Sequence, residues 1–310
     1  MSSKLGQKTV LITGCTPGGI GYEMCLAFKA KGFHVIATAR NTAVMETLAG
    51  EGMTCLPLDV TDEDSVMACQ KDVTKLTGGT LDILVNNAGR THTVPATDLS
   101  IPDVRQTFEV NVFGVMRMVS AFVPLLIPTK GLIINISSTS SLVPYVFGSA
   151  YTASKGTVNS YSRTLRQELR PFGVRVMVAM TGAVKSNITQ LPRSLPEGSL
   201  YEVVEDIYQW RLTFSKKTAS MPPSEYARKL VDDALRPEWP IFFRSWLGRP
   251  DWHFHGGMAG LVWAASVVGE WMTDIILYRV MKMPILENLL KQEEKGIKVA
   301  SGSVDKVKVK

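Results

Sequence analysis

Thr13-Gly14-Cys15-Thr16-Pro17-Gly18-Gly19-Ile20-Gly21 joins an apolar run, Val10–Thr13, to a helical one, Gly19–Lys31. Glycines at such a junction permit a tight turn. They also let a ligand's phosphates approach backbone N–H groups at the helix N-terminus. A glycine-rich run alone is a weak signal, but strand–turn–helix context in the first position strengthens it. Working outward, strands are predicted at His34–Ala39, Met53–Asp59, Leu81–Asn86, Gly131–Ser137 and Val174–Thr181, with a last one at Ile241–Arg244. Helices are predicted at Thr42–Glu51, Asp62–Thr77, around Pro102–Leu126 and at Tyr151–Phe172. Short apolar runs separated by helices predict an α/β fold with a doubly wound parallel sheet covered on both faces.

That arrangement is the Rossmann-type frame, in which a dinucleotide lies across the carboxyl ends of the strands. Sites for NAD usually place a carboxylate on the ribose 2′-hydroxyl about 20 residues after the glycine turn. Here that position reads Thr38-Ala39-Arg40-Asn41. A guanidinium pairs with a 2′-phosphate, so NADP(H) is expected over NAD(H). Asp59, ending the third strand, is placed for the adenine amino group or, alternatively, for capping the next helix.

The 310 residues allow two small domains or one large α/β unit. Apolar residues make up 45% and charged ones 20%, which excludes a disordered chain and a polytopic membrane protein. Cys15, Cys25, Cys55 and Cys69 form no CxxC pair, so neither a metal site nor a disulfide framework is expected, and a reduced compartment is. The first residues lack an apolar h-region, so no cleaved signal is evident. Of the net charge of +6, half lies in the last 20 residues, where Lys291, Lys295, Lys298, Lys306, Lys308 and Lys310 face Glu293, Glu294 and Asp305. Such a tail indicates a solvated or membrane-facing segment and not a nucleic-acid groove.

Two stretches break the alternation. Residues 186–236 are polar and Pro-punctuated, and they follow a strand end, as a substrate lid would. Residues 239–283 hold five of the six tryptophans, Trp239, Trp246, Trp252, Trp263 and Trp271. The uncharged run 256–269 spans 14 residues, short of the ~20 a spanning helix needs. It reads as an amphipathic or re-entrant element, a dimer interface or a lining for an apolar pocket. The expected organisation is one domain over 1–245, with its lid, and an apolar helical extension with a lysine-rich tail over 246–310. The expected location is cytoplasmic, or peripheral on endoplasmic reticulum or lipid droplet.

Tyr151 and Lys155 stand four apart in Tyr151-Thr152-Ala153-Ser154-Lys155, on one helix face. A free tyrosine titrates near pH ~10. A neighbouring ammonium and a positive nicotinamide would favour the phenolate, letting Tyr151 exchange a proton with a carbonyl or alcohol oxygen. Ser138 would orient the same oxygen.

The glycine turn, Asn86-Asn87-Ala88-Gly89, Asn111, Ser138 and the Tyr151–Lys155 pair, in this order and spacing, resemble the short-chain dehydrogenase/reductase family over roughly Lys8 to Phe243. The resemblance implies a catalytic set of Asn111, Ser138, Tyr151 and Lys155, with Asn111 positioning a water that links Lys155 to solvent. It implies that Gly14, Gly19, Ile20 and Gly21 hold the pyrophosphate and that Asn87, Ala88 and Gly89 line the adenosine side. Lys155 would hold the nicotinamide ribose, beside Tyr151, while Val184 and Ser186 contact the carboxamide and phosphate. Helices like 102–126 and 151–172 form dimer seams in this family, so a homo-oligomer is expected. The chain departs in two places. Its glycine turn has one residue more than the usual pattern, and Thr181-Gly182 stands where Pro-Gly is usual.

The lid and the apolar C-terminus, with Gly19-Ile20-Gly21-Tyr22-Glu23, Asn111-Val112-Phe113-Gly114, Thr181-Gly182 with Val184, and Met221-Pro222, resemble fungal NADPH-dependent 1-acyldihydroxyacetone-phosphate reductases. Lys185, Arg193, Arg211, Lys216 and Lys217 are candidates to meet a phosphate. A reductase of fungal secondary metabolism acting on a polycyclic terpenoid, polyketide or steroid-like ketone fits the same apolar lining. A non-catalytic NADP-binding scaffold is the reading from another class.

Overall fold

The computed structural model describes residues 6–186, 193–218, 221–240, 242–243 and 247–294. Seven parallel strands form one sheet in the order β3-β2-β1-β4-β5-β6-β7: β1 Thr9–Thr13, β2 His34–Ala39, β3 Thr54–Pro57, β4 Ile83–Asn86, β5 Leu132–Ser138, β6 Arg175–Thr181 and β7 Trp252–His255. The predicted doubly wound sheet is therefore present, with an apolar helical extension after it.

Alternation along β1 shows how both faces are filled. Val10 and Ile12 join Met24 and Phe28 of α1 (Ile20–Ala30) and Tyr226 and Leu230 of α8 (Pro223–Ala234) in one core. Leu11 points the other way, to Val66 of α3 (Glu63–Thr77), Phe122 of α5 (Gly114–Leu126) and Leu165 of α6 (Ser149–Leu169). Order reverses where β1 lies between β2 and β4, which opens the switch-point cleft above their carboxyl ends. α2 (Glu46–Gly50) is a short helix behind β2. All four cysteines are free thiols, and Cys15, Cys25 and Cys69 are buried among apolar side chains.

The long helix is one rod in three parts: α4 (Ile101–Phe108), a π-helical turn Glu109–Phe113, and α5. Among the described residues it alone is long and apolar enough to cross a membrane, and half of its most apolar stretch is buried in the molecule.

The last strand corrects the expectation of Ile241–Arg244. Phe242 and Phe243 sit in a turn closed by Phe243 N–H to Pro240 O at 2.9 Å, and Phe242 is 90% exposed. Ile241 and Arg244 lie outside the described residues. β7 instead pairs Val178–Thr181 with Trp252–His255, so the sheet extends past position 245. The polar His253 escaped the hydrophobic pattern, yet it is buried and bonded through Nδ1 to Asp233 of α8 at 2.9 Å. That carboxylate also meets Lys229 at 3.2 Å and Arg236 at 2.7 Å.

Beyond β7 come α9 (Ala259–Val268), α10 (Glu270–Val280) and α11 (Met283–Glu294). In α11, Ile285, Leu286 and Leu289 pack on Val204 and Ile207, at the start of α7 (Glu205–Thr218). By contrast α9 and α10 leave Leu261, Trp263, Val267, Val268, Trp271, Ile275 and Ile276 exposed. Lys295, Lys298, Lys306, Lys308 and Lys310 lie outside the described residues, as do positions 187–192 of the expected lid.

Candidate active site

The glycine turn is held from behind. The Asn87 carboxamide donates to Thr13 O at 2.8 Å and Gly14 O at 3.0 Å. The N–H groups of Asn87 and Ala88 donate to the Thr13 hydroxyl at 3.0 and 2.9 Å. Gly21 stands where a Cβ would come within 2.5 Å of both Asn87 Nδ2 and Gly14 O, so only glycine lets α1 start this close. The extra residue is absorbed in a turn at Thr16–Gly19, closed by Gly19 N–H to Thr16 O at 3.1 Å. Pro17 leads it and Gly18 follows at φ +74°, as a type II turn requires. The N–H groups at the start of α1 carry no side-chain cap, which leaves them open to a phosphate.

Arg40 is exposed just past β2. Burial works to raise the Asp59 carboxyl, but hydrogen bonds from the Thr61 N–H and hydroxyl, and the charge of Arg40, hold it below its ordinary value. Asp59 Oδ1 takes both Thr61 bonds, at 2.9 and 2.7 Å. It does not cap α3; Asp62 does, accepting from Asp64 N–H.

Ser138 ends β5, and Tyr151 and Lys155 lie in the first two turns of α6. Tyr151 is hydrogen-bonded to the Ser138 side chain. The Ser138 Oγ accepts from Ser140 twice, from N–H at 3.2 Å and from the hydroxyl at 2.9 Å. A hydroxyl has two acceptor positions and one proton. With both acceptors filled, the Ser138 proton is directed outward, to Tyr151 or to an oxygen beside it. Sequence reading did not single out Ser140.

Lys155 is buried, donates through Nζ to Ile136 O at 2.9 Å and stands 6.0 Å from the Tyr151 ring centroid. Burial lowers its amine to about 8. Burial raises the Tyr151 phenol to about 12, against the hydrogen bond from Ser138, with Tyr145 adding to the rise. The expected acidic phenol is thus not produced by the protein's own groups.

Asn111 is buried in the π turn. Its Oδ1 accepts from Arg90 N–H at 2.9 Å, and its Nδ2 donates to Arg90 O at 3.0 Å and Ser154 Oγ at 3.0 Å. Ser154 in turn donates to Tyr151 O at 2.7 Å, which ties Asn111 to α6. A Cβ on Gly89 would lie 3.3 Å from Asn111 Oδ1 and 3.6 Å from Lys155 Nζ, so glycine keeps the space between them.

Past β6, the Thr181 hydroxyl is bonded to Tyr226 OH at 2.6 Å and its carbonyl accepts from Thr139 at 3.3 Å. These bonds supply the restraint that proline would give. Val184 bridges to Met221, and Ser186 N–H donates to Val184 O at 2.8 Å.

Of the basic candidates, Arg193 pairs with Asp103 at 2.7 Å, while Lys185 and Lys217 are exposed. The Lys216 side chain is outside the described residues. Arg211 is buried on α7 over the Tyr145 ring, 3.7 Å from guanidinium carbon to centroid.

Comparison with known proteins agrees with this geometry. The short chain dehydrogenase family model matches residues 8–195. The short-chain dehydrogenase virD of Hypocrea virens is 41% identical over 244 residues, 78% of this chain and 84% of that protein. The NADPH-dependent 1-acyldihydroxyacetone phosphate reductase of Schizosaccharomyces pombe is 48% identical over 201 residues, 63% of this chain and 68% of that protein. Among solved structures, an alcohol dehydrogenase from the archaeon Thermococcus sibiricus, complexed with 5-hydroxy-NADP, superposes with a TM-score of 0.61 at 26% identity, covering 73% of this chain and 91% of that one. With its glycine turn, its Ser138–Tyr151–Lys155 cluster and a family match over residues 8–195, this chain belongs to the short-chain dehydrogenase family.

Proposed function

We propose that the chain is an NADP(H)-dependent carbonyl reductase or alcohol dehydrogenase with Tyr151 as its general acid and base. The observation that carries this is the Tyr151–Ser138 bond backed by Ser140, with Lys155 one turn along α6, at the carboxyl end of β5. The residues fit the coenzyme. Ile20 and Gly21, at the uncapped start of α1, would offer N–H groups to its pyrophosphate, with Gly14 and Gly19 shaping the turn beside it, and exposed Arg40 suits a 2′-phosphate. Ala88 and Gly89 would line the adenosine side, with Asn87 holding the turn and Asp59 placed near the adenine. Val184 and Ser186 would border the nicotinamide, and Lys155 its ribose. Bound there, the coenzyme supplies or accepts the hydride.

The chain's own residues handle the oxygen. Ser138 donates a hydrogen bond to the substrate carbonyl, Tyr151 delivers its phenolic proton to the same oxygen, and Lys155 leads to Asn111 as the path of resupply. Because burial holds the phenol near 12, it keeps its proton until the oxygen it faces becomes basic.

For substrate we favour 1-acyldihydroxyacetone phosphate, supported by 48% identity to the reductase of that name. A neutral polycyclic ketone or alcohol is the competing outcome. Coenzyme oxidation measured with both substrates, for wild type and Y151F, tests the reading. Turnover of neither, or turnover undiminished in Y151F, overturns it and favours the scaffold.

A second reading concerns location. α9 and α10 expose Trp263, Trp271 and Tyr278 with a cluster of aliphatic side chains, and Arg279 and Lys282 follow at the end of α10. Aromatic and basic residues flanking an apolar surface suit the headgroup level of a bilayer. We propose peripheral attachment there, with the lysine-rich tail beside it and copies pairing through α5 and α6. Vesicle flotation tests it: replacing Leu261, Trp263 and Trp271 with serine is expected to abolish flotation, and unchanged flotation overturns it.

A further inference from the structure

Arg211 is 2% exposed, yet among the described residues no carboxylate pairs with it. Of the five N–H groups of a guanidinium, only Nε–H has an acceptor among the described residues, Val146 O at 2.9 Å. Its guanidinium also stacks on the Tyr145 ring, 3.7 Å from carbon to centroid. Buried arginines are normally paired, because desolvating an isolated charge is costly. Even the partly exposed Arg193 has its carboxylate, in Asp103.

The unpaired charge has a direction. A Cβ on Gly148 would stand 3.5 Å from an Arg211 terminal nitrogen. Gly148 is the N-cap residue of α6 and offers no side-chain cap to its first turn. The first turn of α6, with the N–H groups of Ser149, Ala150 and Tyr151, therefore has no side-chain cap, and the guanidinium stands beside it, next to the Tyr145 carbonyl that accepts from Gly148 N–H at 2.9 Å. A 21-residue helix also presents the positive end of its dipole there. Tyr145 links the two, lying under Arg211 and close enough to Tyr151 to act on its phenol.

We propose that Arg211 and the first turn of α6 form an anion subsite that holds the phosphate or carboxylate of the substrate while Tyr151 meets its carbonyl. This rests on the reading of Tyr151 as the group facing the carbonyl. A guanidinium takes either oxyanion through two parallel N–H···O bonds, and helix N–H groups take a third oxygen. The subsite selects anionic over neutral ketones, and it makes Arg211 a specificity-determining residue.

The test reads binding without turnover. Full-length protein with NADP is titrated calorimetrically with octyl phosphate, octanoate and octanol, for wild type, R211K, R211Q and Y151F. Wild type is expected to bind at least one anion more than tenfold tighter than octanol, and the stronger of the two identifies the natural group. R211Q is expected to lose that margin, R211K to keep part of it, and Y151F to keep all of it. Wild type binding all three probes alike overturns the proposal even if R211Q fails to fold, as does an R211Q that folds and keeps the margin. Loss of turnover in Y151F with its anion binding intact separates this result from failure of the Tyr151 reading.

Discussion

Lys155 directs its amine to the carbonyl of Ile136 at 2.9 Å and not to the phenol of Tyr151, whose ring centroid is 6.0 Å away. The amine is buried and lowered from 10.5 to about 8. A base whose proton affinity falls on folding costs stability in full below about pH 8, and the cost fades as pH rises toward 10.5. K155M is therefore expected to be more stable than wild type at pH 7, by roughly 1–3 kcal/mol, with the gain gone near pH 10. Thermal unfolding of both proteins across that window checks it, and a gain constant with pH refutes it.

Ser140 gives a sharper test of the proton path. S140A removes one of the two bonds that direct the Ser138 hydroxyl. A single hydrogen bond of this kind is worth ~0.5–1.5 kcal/mol, so kcat should fall roughly 2–12-fold with KM little changed. S140T should restore most of the rate. Equal losses in kcat and stability, without rescue by threonine, would show that Ser140 only packs.

Asn87 should act on coenzyme binding and not on chemistry. N87A releases Thr13 O and Gly14 O together, leaving two partly buried acceptors without their donor at ~1–3 kcal/mol. The expected result is a lower melting temperature and a raised KM for coenzyme at nearly unchanged kcat. Stopped-flow binding and single-turnover rates separate the two.

Arg40 sets coenzyme choice if its guanidinium meets the 2′-phosphate. R40D should weaken NADPH at least tenfold and leave NADH the better coenzyme. The ratio of kcat/KM values decides, and an unchanged ratio removes Arg40 from the site.

Asp233 supports the sheet edge. Burial raises its carboxyl, but the bond and charge of His253, then those of Lys229, outweigh it and hold it below the ordinary value. Its contribution to stability is present above the unfolded carboxylate pKa and is lost as pH falls through the folded one. D233N should lower the melting temperature at pH 7 and flatten its acid limb, because the variant has no carboxylate left to protonate. A parallel acid limb in D233N would contradict this.

The strands from β1 to β6 and the helices between them were legible because buried parallel strands are continuous apolar runs, and Thr13, Asn87, Ser138, Tyr151 and Lys155 stand at strand ends or on one helix face. β7 was not legible. Its buried His253 looks polar until Asp233, twenty residues earlier, is brought beside it. Ser140 sits in a serine-rich stretch where nothing local marks which hydroxyl backs Ser138. Arg211 was one of five candidate cations, and only packing against Tyr145 distinguished it from those paired or exposed. Helix spacing brings Lys155 near Tyr151 but does not show how far burial raises the phenol of the coenzyme-free chain.

The π turn at Glu109–Phe113 has a consequence for chain length. An α-helix advances by ~100° per residue, so one surplus residue in a turn rotates everything after it. Without that residue, Asn111 and the Phe122–Leu126 stripe could not both keep their bearings, one toward Arg90 and the other toward the sheet. A one-residue deletion in this turn that spares Asn111 would therefore turn its carboxamide away from Arg90 and Ser154, although the residue itself is still in the sequence.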